Sequence, residues 1–371
     1  MSRRLPAVTV IGGGVIGLAV AWRLGRRDAQ VTLLERHAPG AGASTVAAGM
    51  LSPLKEAGEP GPFLDLALRS LAGYPEFIRA IEACADMEVG YRQGGRLDLA
   101  FTDEAAAALR EQASLQRDAG HEGRLLEPAE VRRLEPAVAA DIRLGLATEL
   151  DHQVDTERLI RALWIAAARE GVDVRTGAGA AGVVVDEAGR GRVSGVRLDS
   201  GEVVSSDAVV VATGAWAARM ELPRPLPIRP VRGQIVVLRA VPPALGRVVW
   251  GPGCYLVPRT DGRLLVGATM EETGFVIAST AGATARLLDA ALRIAPSLEN
   301  AAVEGFQVGL RPATPDGLPI IGADPDTAGL FFATGHFRNG ILLAPETAEV
   351  IAAAVLDDAA GDVAFAPGRF A

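Results

Sequence analysis

Cysteine is nearly absent from this sequence: Cys84 and Cys254 are the only two. They are too few and too badly spaced for a disulfide framework or a zinc site, which suits a reducing cytoplasm. Histidine is scarce as well, with His37, His121, His152 and His336 scattered along the chain. No metal site is expected, and few side chains are available as a general base. The 37 basic and 45 acidic residues leave a net charge of −8 with no dense basic run. That argues against a nucleic-acid partner, whose phosphates require a positive footprint. No apolar run reaches the ~20 residues of a membrane span. Arg3 and Arg4 precede an apolar stretch in the manner of a signal peptide, but three consecutive glycines interrupt it and no A-x-A cleavage site follows. The expectation is a soluble, untargeted cytoplasmic protein with no membrane association. Internal repeats and low-complexity segments are also missing.

At 371 residues the chain exceeds the size one core usually serves, so two domains are expected. The organising stretch is residues 7–35, AVTVIGGGVIGLAVAWRLGRRDAQVTLLE. A short apolar strand over residues 8–11 leads into Gly12, Gly14 and Gly17 in G-x-G-x-x-G register. Val15 and Ile16 open a helix, and residues 31–34 form a second strand ending on Glu35, with Arg36 behind it. Gly12 permits the tight turn, Gly14 lets the backbone approach a pyrophosphate, and Gly17 lets helix and strand pack closely. The diphosphate would rest on the helix N-terminus, where free N–H groups and the positive dipole end converge. Glu35 would accept from an adenosine ribose. FAD and NAD share this fingerprint, so the stretch alone leaves both open.

Residues 41–51, AGASTVAAGML, are too small to fill a core and are read as running against something flat, with Ser44 and Thr45 offering hydroxyls to phosphate. A flexible Gly/Ala loop is the alternative. Helices are expected over 63–83, broken near Pro75, and over 103–119 and 127–134, with a strand over 91–100. Asp155 caps a further helix ending at Gly171. Residues 183–211 read as three strands separated by turns at 187–191 and 199–202. The last strand runs into Ala212, Thr213 and Gly214, which places small residues against a nucleotide or makes an ordinary turn. The Pro-rich 223–230 segment is a crossing between domains. Strands follow over 233–239, 254–258 and 263–269, then a helix over 284–295, a returning loop over 312–322, a strand over 330–333 and a last helix over 345–356. The division expected is a nucleotide domain of residues 1–90, 150–222 and 312–371, with a second domain of 91–149 and 223–311 inserted in it.

Four stretches together resemble the FAD-dependent amine and amino-acid oxidases of the D-amino-acid oxidase superfamily: GGGVIG with Glu35, STVAAGML at 44–51, GLRPATPDGLPIIG at 309–322 and GHFRNGILLAP at 335–345. The last three, with CYLVPRTDGRLLVGATM at 254–270, look like the glycine oxidase branch, which serves thiamine biosynthesis. The resemblance implies an α/β fold in which a Rossmann-like FAD-binding domain carries an inserted α+β substrate domain with a mixed or antiparallel sheet. FAD would be held non-covalently, because residues 308–311 read VGLR where some relatives attach flavin through cysteine.

The same resemblance assigns residues. Ser44, Thr45, Ala47, Ala48, Gly49 and Met50 would pass the diphosphate and flavin ring. Ala180 would lie near adenine, and His336, Phe337, Arg338, Asn339, Gly340 and Ile341 would approach the isoalloxazine edge. Arg311 would anchor a substrate carboxylate, with Tyr255 adding its hydroxyl, Met50 lining the pocket and Arg338 a second candidate. Read alone, Arg311 is an ion-pair residue, Tyr255 half-buried packing and Met50 core. The activity implied is oxidation of glycine, or of sarcosine or a small D-amino acid, by O2 to imine and 2-oxo acid, ammonia and hydrogen peroxide, without an obligatory protein base. A D-amino-acid dehydrogenase, a sarcosine-type oxidase and a non-catalytic electron-transfer subunit are the competing readings. A homotetramer and delivery of the product to a thiazole-forming partner are further implications.

Overall fold

The computed structural model describes residues 6–186, 191–240 and 245–370. Arg3, Arg4 and all but the last residue of the expected 187–191 turn lie outside them. Strand Ala7–Ile11 sits inside a six-stranded sheet, paired in parallel with Gln30–Glu35 on one side and Ala208–Val211 on the other. Asp173–Thr176 extends the sheet beyond Gln30–Glu35, and Leu330–Thr334 then Ile320–Ala323 extend it the other way, the last strand antiparallel. These strands are apolar almost throughout because both faces are covered. Val8, Val10, Leu33 and Val210 face a core shared with helices Val15–Gly25, Pro62–Ala85, Thr156–Arg169 and Gly340–Asp357. Ile11, Leu34, Val209 and Val211 face the opposite core, shared with the small sheet Ala180–Val185, Val193–Leu198 and Val203–Ser205.

A second, eight-stranded sheet runs in the order Ala302–Ala313, Arg229–Arg239, Arg263–Gly267, Cys254–Pro258, Val248–Gly251, Arg96–Ala100, Leu144–Thr148, Arg124–Leu126. It is antiparallel except where Val248–Gly251 runs parallel to Arg96–Ala100. Helix Ala281–Ile294 buries Leu287, Ala291 and Ile294 on one face. The other face presents Ile235, Val237, Val257 and Leu265 to Ala48 and Met50, which brings the small-residue loop against this sheet.

Several sequence expectations change. The Pro62–Ala85 helix runs unbroken through Pro75. A proline inside a helix removes one hydrogen bond, but Ser70 Oγ and Tyr74 Oη donate to the Leu342 and Ile341 carbonyls, both at 2.7 Å, and lash the turn just before the proline to Gly340–Asp357. The chain before residue 312 is a strand, Ala302–Ala313, and part of the expected loop is another, Ile320–Ala323. The first escaped notice because it is an edge strand: its outer half is largely exposed, and Pro312 is tolerated at an edge. The expected 91–100 strand shortens to Arg96–Ala100, and residues 183–211 hold four strands, the last belonging to the six-stranded sheet. Residues 43–46 form one helical turn, and the final helix starts at Gly340, with Pro345 inside it. Among the described residues, no helix is long and apolar enough to cross a membrane.

Candidate active site

The first strand ends at Gly12, whose φ of +106° only glycine adopts easily, and a Cβ there would lie 2.6 Å from the Ala212 carbonyl oxygen. Gly14 is the N-cap of helix Val15–Gly25 and has no side chain to close that end. A Cβ on Gly17 would collide with the Gly12 carbonyl, so Gly17 lets the helix settle on the turn and does not line the cavity. The Glu35 carboxylate accepts from the Gly13 N–H at 2.7 Å and the His37 N–H at 2.8 Å, which fixes it at the tip of the second strand.

From this turn a cavity of about 1160 Å³ extends to the second sheet. Its first end is walled by Gly12, Gly14, Val15, Ile16, Glu35, Arg36, Ala180, Thr213 and Gly214. Arg36 pairs there with Asp199 at 3.1 Å and reaches toward the Ala180 carbonyl. The middle is walled by Ser44, Ala47, Ala48, Gly49 and Met50 from one side and by His336, Phe337, Asn339, Gly340 and Ile341 from the other. Ser44 Oγ accepts the Val15 N–H at 3.0 Å and thereby ties the loop to the helix start. Thr45 is not part of the wall. Its hydroxyl donates to the Gly40 carbonyl at 2.8 Å and its carbonyl accepts from Thr156, so this side chain fastens the loop from behind. Arg259, which is buried, donates to the Ala48 and Val154 carbonyls at 2.9 Å each and clamps the loop to the second sheet.

The far end holds Tyr255, Arg311 and Arg338. Tyr255 stands over Gly267 on the adjacent strand, where a Cβ would lie 2.5 Å from its ring. Arg311 donates to the Thr269 carbonyl at 2.9 Å and lies close beside the Tyr255 hydroxyl. Among the described residues no carboxylate pairs with Arg311. Burial, reinforced by the like charge of Arg338, pushes its guanidinium below the ordinary range. Burial also drives the Tyr255 phenol up to about 12, so it stays protonated and able to donate. His336 is buried, its Nε2 lies 3.1 Å from Thr347 Oγ1, and burial lowers its pKa to about 3. It is therefore neutral and a poor proton acceptor near neutral pH.

Sequence reading missed Glu56, Trp250 and Met270, which line the same cavity, and Asp199 beside Arg36 at its first end. Glu56 lies 2.9 Å from Arg338. Only the Ser52–Pro53 helix start hinted at an ordered element there, and nothing in the sequence pointed its acid inward.

A glycine cradle, a helix start without a capping side chain, an acid on the neighbouring strand and one long cavity fit a dinucleotide cofactor with a small substrate beyond it. This is a nucleotide-binding oxidoreductase fold with two arginines, Arg311 and Arg338, at the far end of its cavity. Residues 7–354 match the family described as FAD dependent oxidoreductase, and the chain belongs to that family. The choice the fingerprint left open thus falls to FAD. The bifunctional protein ThiO/ThiG of Synechocystis sp. is 38% identical over 372 residues, covering 98% of this chain and 54% of that protein. The chain spans about half the length of such bifunctional relatives. A glycine oxidase of Geobacillus kaustophilus is 36% identical over 349 residues, which is 93% of this chain and 91% of the relative. The crystal structure of glycine oxidase from that organism superposes with a TM-score of 0.92 at 34% identity, covering 98% of each chain. The expected α/β architecture is the one observed.

Proposed function

We propose that this protein is an amino-acid oxidase that converts glycine to its imine, with non-covalent FAD and with O2 as the final acceptor. The observation that carries the reading is the buried Arg311 guanidinium, in salt-bridge contact with no carboxylate among the described residues and close beside Tyr255, at the end of the cavity that begins at the glycine turn. A buried cation without a partner is costly, and a substrate carboxylate relieves that cost with charge-assisted hydrogen bonds. Similarity to glycine oxidases over nearly the whole chain supports glycine as the amine.

When bound, the flavin supplies the two-electron acceptor for the hydride leaving Cα and passes the electrons on to O2, giving hydrogen peroxide. Arg311 holds the substrate carboxylate and Tyr255 adds a hydroxyl to it, which fixes where Cα sits; such fixing is the protein's main contribution in flavin chemistry. Met50 supplies apolar wall. Arg36 and Glu35 would hold the adenosine end beside Ala180, and Gly12 and Gly14 the diphosphate. His336 stays neutral and takes no proton, so the substrate enters as the neutral amine or releases its proton to water. The imine then hydrolyses to glyoxylate and ammonia. Cys254 also lines the cavity, but burial pushes its thiol up to about 12, and no cysteine stands at 308–311, which supports non-covalent flavin.

We assign residues 1–90, 150–222 and 312–371 to the flavin domain and 91–149 and 223–311 to the substrate domain, a division supported by the membership of the two large sheets. Delivery of the product to a thiazole-forming partner is supported by relatives carrying a ThiO and a ThiG part in one chain. A homotetramer in the cytoplasm completes the reading, the latter supported by two free cysteines. Anaerobic addition of glycine to the flavin-loaded protein should bleach its visible absorbance, faster than sarcosine, D-alanine or D-proline. Fully loaded protein that glycine leaves oxidised would refute the reading.

A further inference from the structure

Lys55 is the only lysine in the sequence, and Glu56 follows it on the short helix Pro53–Ala57. The two side chains go opposite ways. Lys55 Nζ lies 2.7 Å from Asp98 Oδ1, and Asp98 is buried together with Arg96 and Asp151 in one charged cluster. The ammonium also stands over the ring of Trp250, a cavity-lining residue, 5.1 Å from its centroid, while Lys55 itself is not among the lining residues. Glu56 faces inward. Its carboxylate is only 10% exposed, and Oε2 stands 2.9 Å from Arg338 yet receives no aligned hydrogen bond. Arg311, Tyr255, Arg338 and Glu56 all lie within electrostatic reach of one another.

The substrate end thus contains two guanidiniums and one carboxylate. Without Glu56, Arg311 and Arg338 would form a pocket for two anionic groups. With it, Arg338 is already compensated, and a second substrate carboxylate would meet a desolvated acid of its own sign, a juxtaposition that opposes binding. Rejection through a built-in repulsive group is a usual source of specificity. We propose that Glu56 is the specificity-determining residue of this site, restricting it to small amines with a single carboxylate and rejecting dicarboxylic amines, and that Lys55 is the positioning residue that aims it. The inference rests on Arg311 being the carboxylate anchor.

Non-reacting acids test it on the flavin-loaded protein without turnover. Propionate replaces the amine of glycine by a methyl group, and glutarate replaces the amine of N-(carboxymethyl)glycine by a methylene. Perturbation of the flavin spectrum gives both affinities. The unaltered protein should bind propionate at least about tenfold more tightly than glutarate, and Glu56→Gln should close that gap by roughly tenfold or more, through glutarate. Adding Arg338→Met to Glu56→Gln should abolish the gain. Lys55→Met should move the ratio the same way and Lys55→Arg should restore it, which loss of fold would not do. If propionate binds and Glu56→Gln leaves the ratio unchanged, the role of Glu56 is overturned while the anchor stands. If neither acid perturbs the flavin in either protein, the anchor falls and this inference with it.

Discussion

Arg311 lies across Gly233, its diagonal neighbour on the adjacent antiparallel strand, so closely that any side chain at 233 would occupy the space of the guanidinium. The pocket thus depends on a glycine that makes room for the guanidinium. Gly233→Ala should displace Arg311 by about the width of a methyl and raise the KM for glycine by up to ~10²-fold, with FAD content unchanged. Arg311→Ala should cost ~2–5 kcal/mol in kcat/KM, because a buried charge on the substrate loses its partner. Steady-state kinetics at saturating O2 checks both, and an unchanged KM in either variant removes Arg311 from the site.

Tyr255 contributes a neutral hydroxyl. Its phenol lies at about 12, so Tyr255 itself should add no pH dependence to glycine affinity from about pH 7 to pH 10. Tyr255→Phe should weaken binding by ~1 kcal/mol, roughly fivefold, with the same pH profile as the wild type. A break near pH 9 in the wild-type profile that is lost in the variant would show the phenol titrating within range.

His336 couples the site to acid. Its folded-state pKa of about 3 lies below its ordinary 6.5, so between these values the unfolded chain binds the extra proton and stability falls as pH falls. Between pH 6.5 and pH 5 this group should remove roughly 2 kcal/mol, a loss absent from His336→Gln. Urea midpoints at the two pH values measure it. The same variant should keep its rate of anaerobic flavin reduction, and loss of most of that rate with FAD retained would make His336 a proton carrier.

Arg259 holds two buried carbonyls behind the flavin loop. Arg259→Met leaves the Ala48 and Val154 oxygens without donors, at ~1–3 kcal/mol each. Its expected signature is earlier release of FAD on heating, read as flavin fluorescence, ahead of global unfolding. Coincident release and unfolding at the wild-type temperature would show that the clamp is dispensable.

Local pattern carried the nucleotide half of the site. The glycine turn, the strands flanking it and Glu35 were legible because short-range geometry goes far toward deciding them: Gly12 carries a positive φ that favours glycine, and a Cβ on Gly17 would strike the Gly12 carbonyl five positions back. The Asp155 cap was legible for the same reason, its carboxylate accepting from Glu157 and Arg158 N–H groups close by in the chain. The edge strand carrying Arg311 was not, since half of it faces solvent and shows no apolar run. Thr45 looked like a phosphate ligand and turned out to fasten its loop, because the Gly40 carbonyl lies within its reach.

By itself, then, the sequence determined the glycine turn after the first strand and the resemblance of the chain to flavin-dependent amino-acid oxidases. Only the tertiary structure decided what the far end of the cavity is like. Gly233 under Arg311, Gly267 under Tyr255 and Glu56 against Arg338 are pairs separated by 12 to 282 positions in the chain. Their meaning comes from strand register and from charges brought together out of water, and neither is encoded in the residues around any one of them.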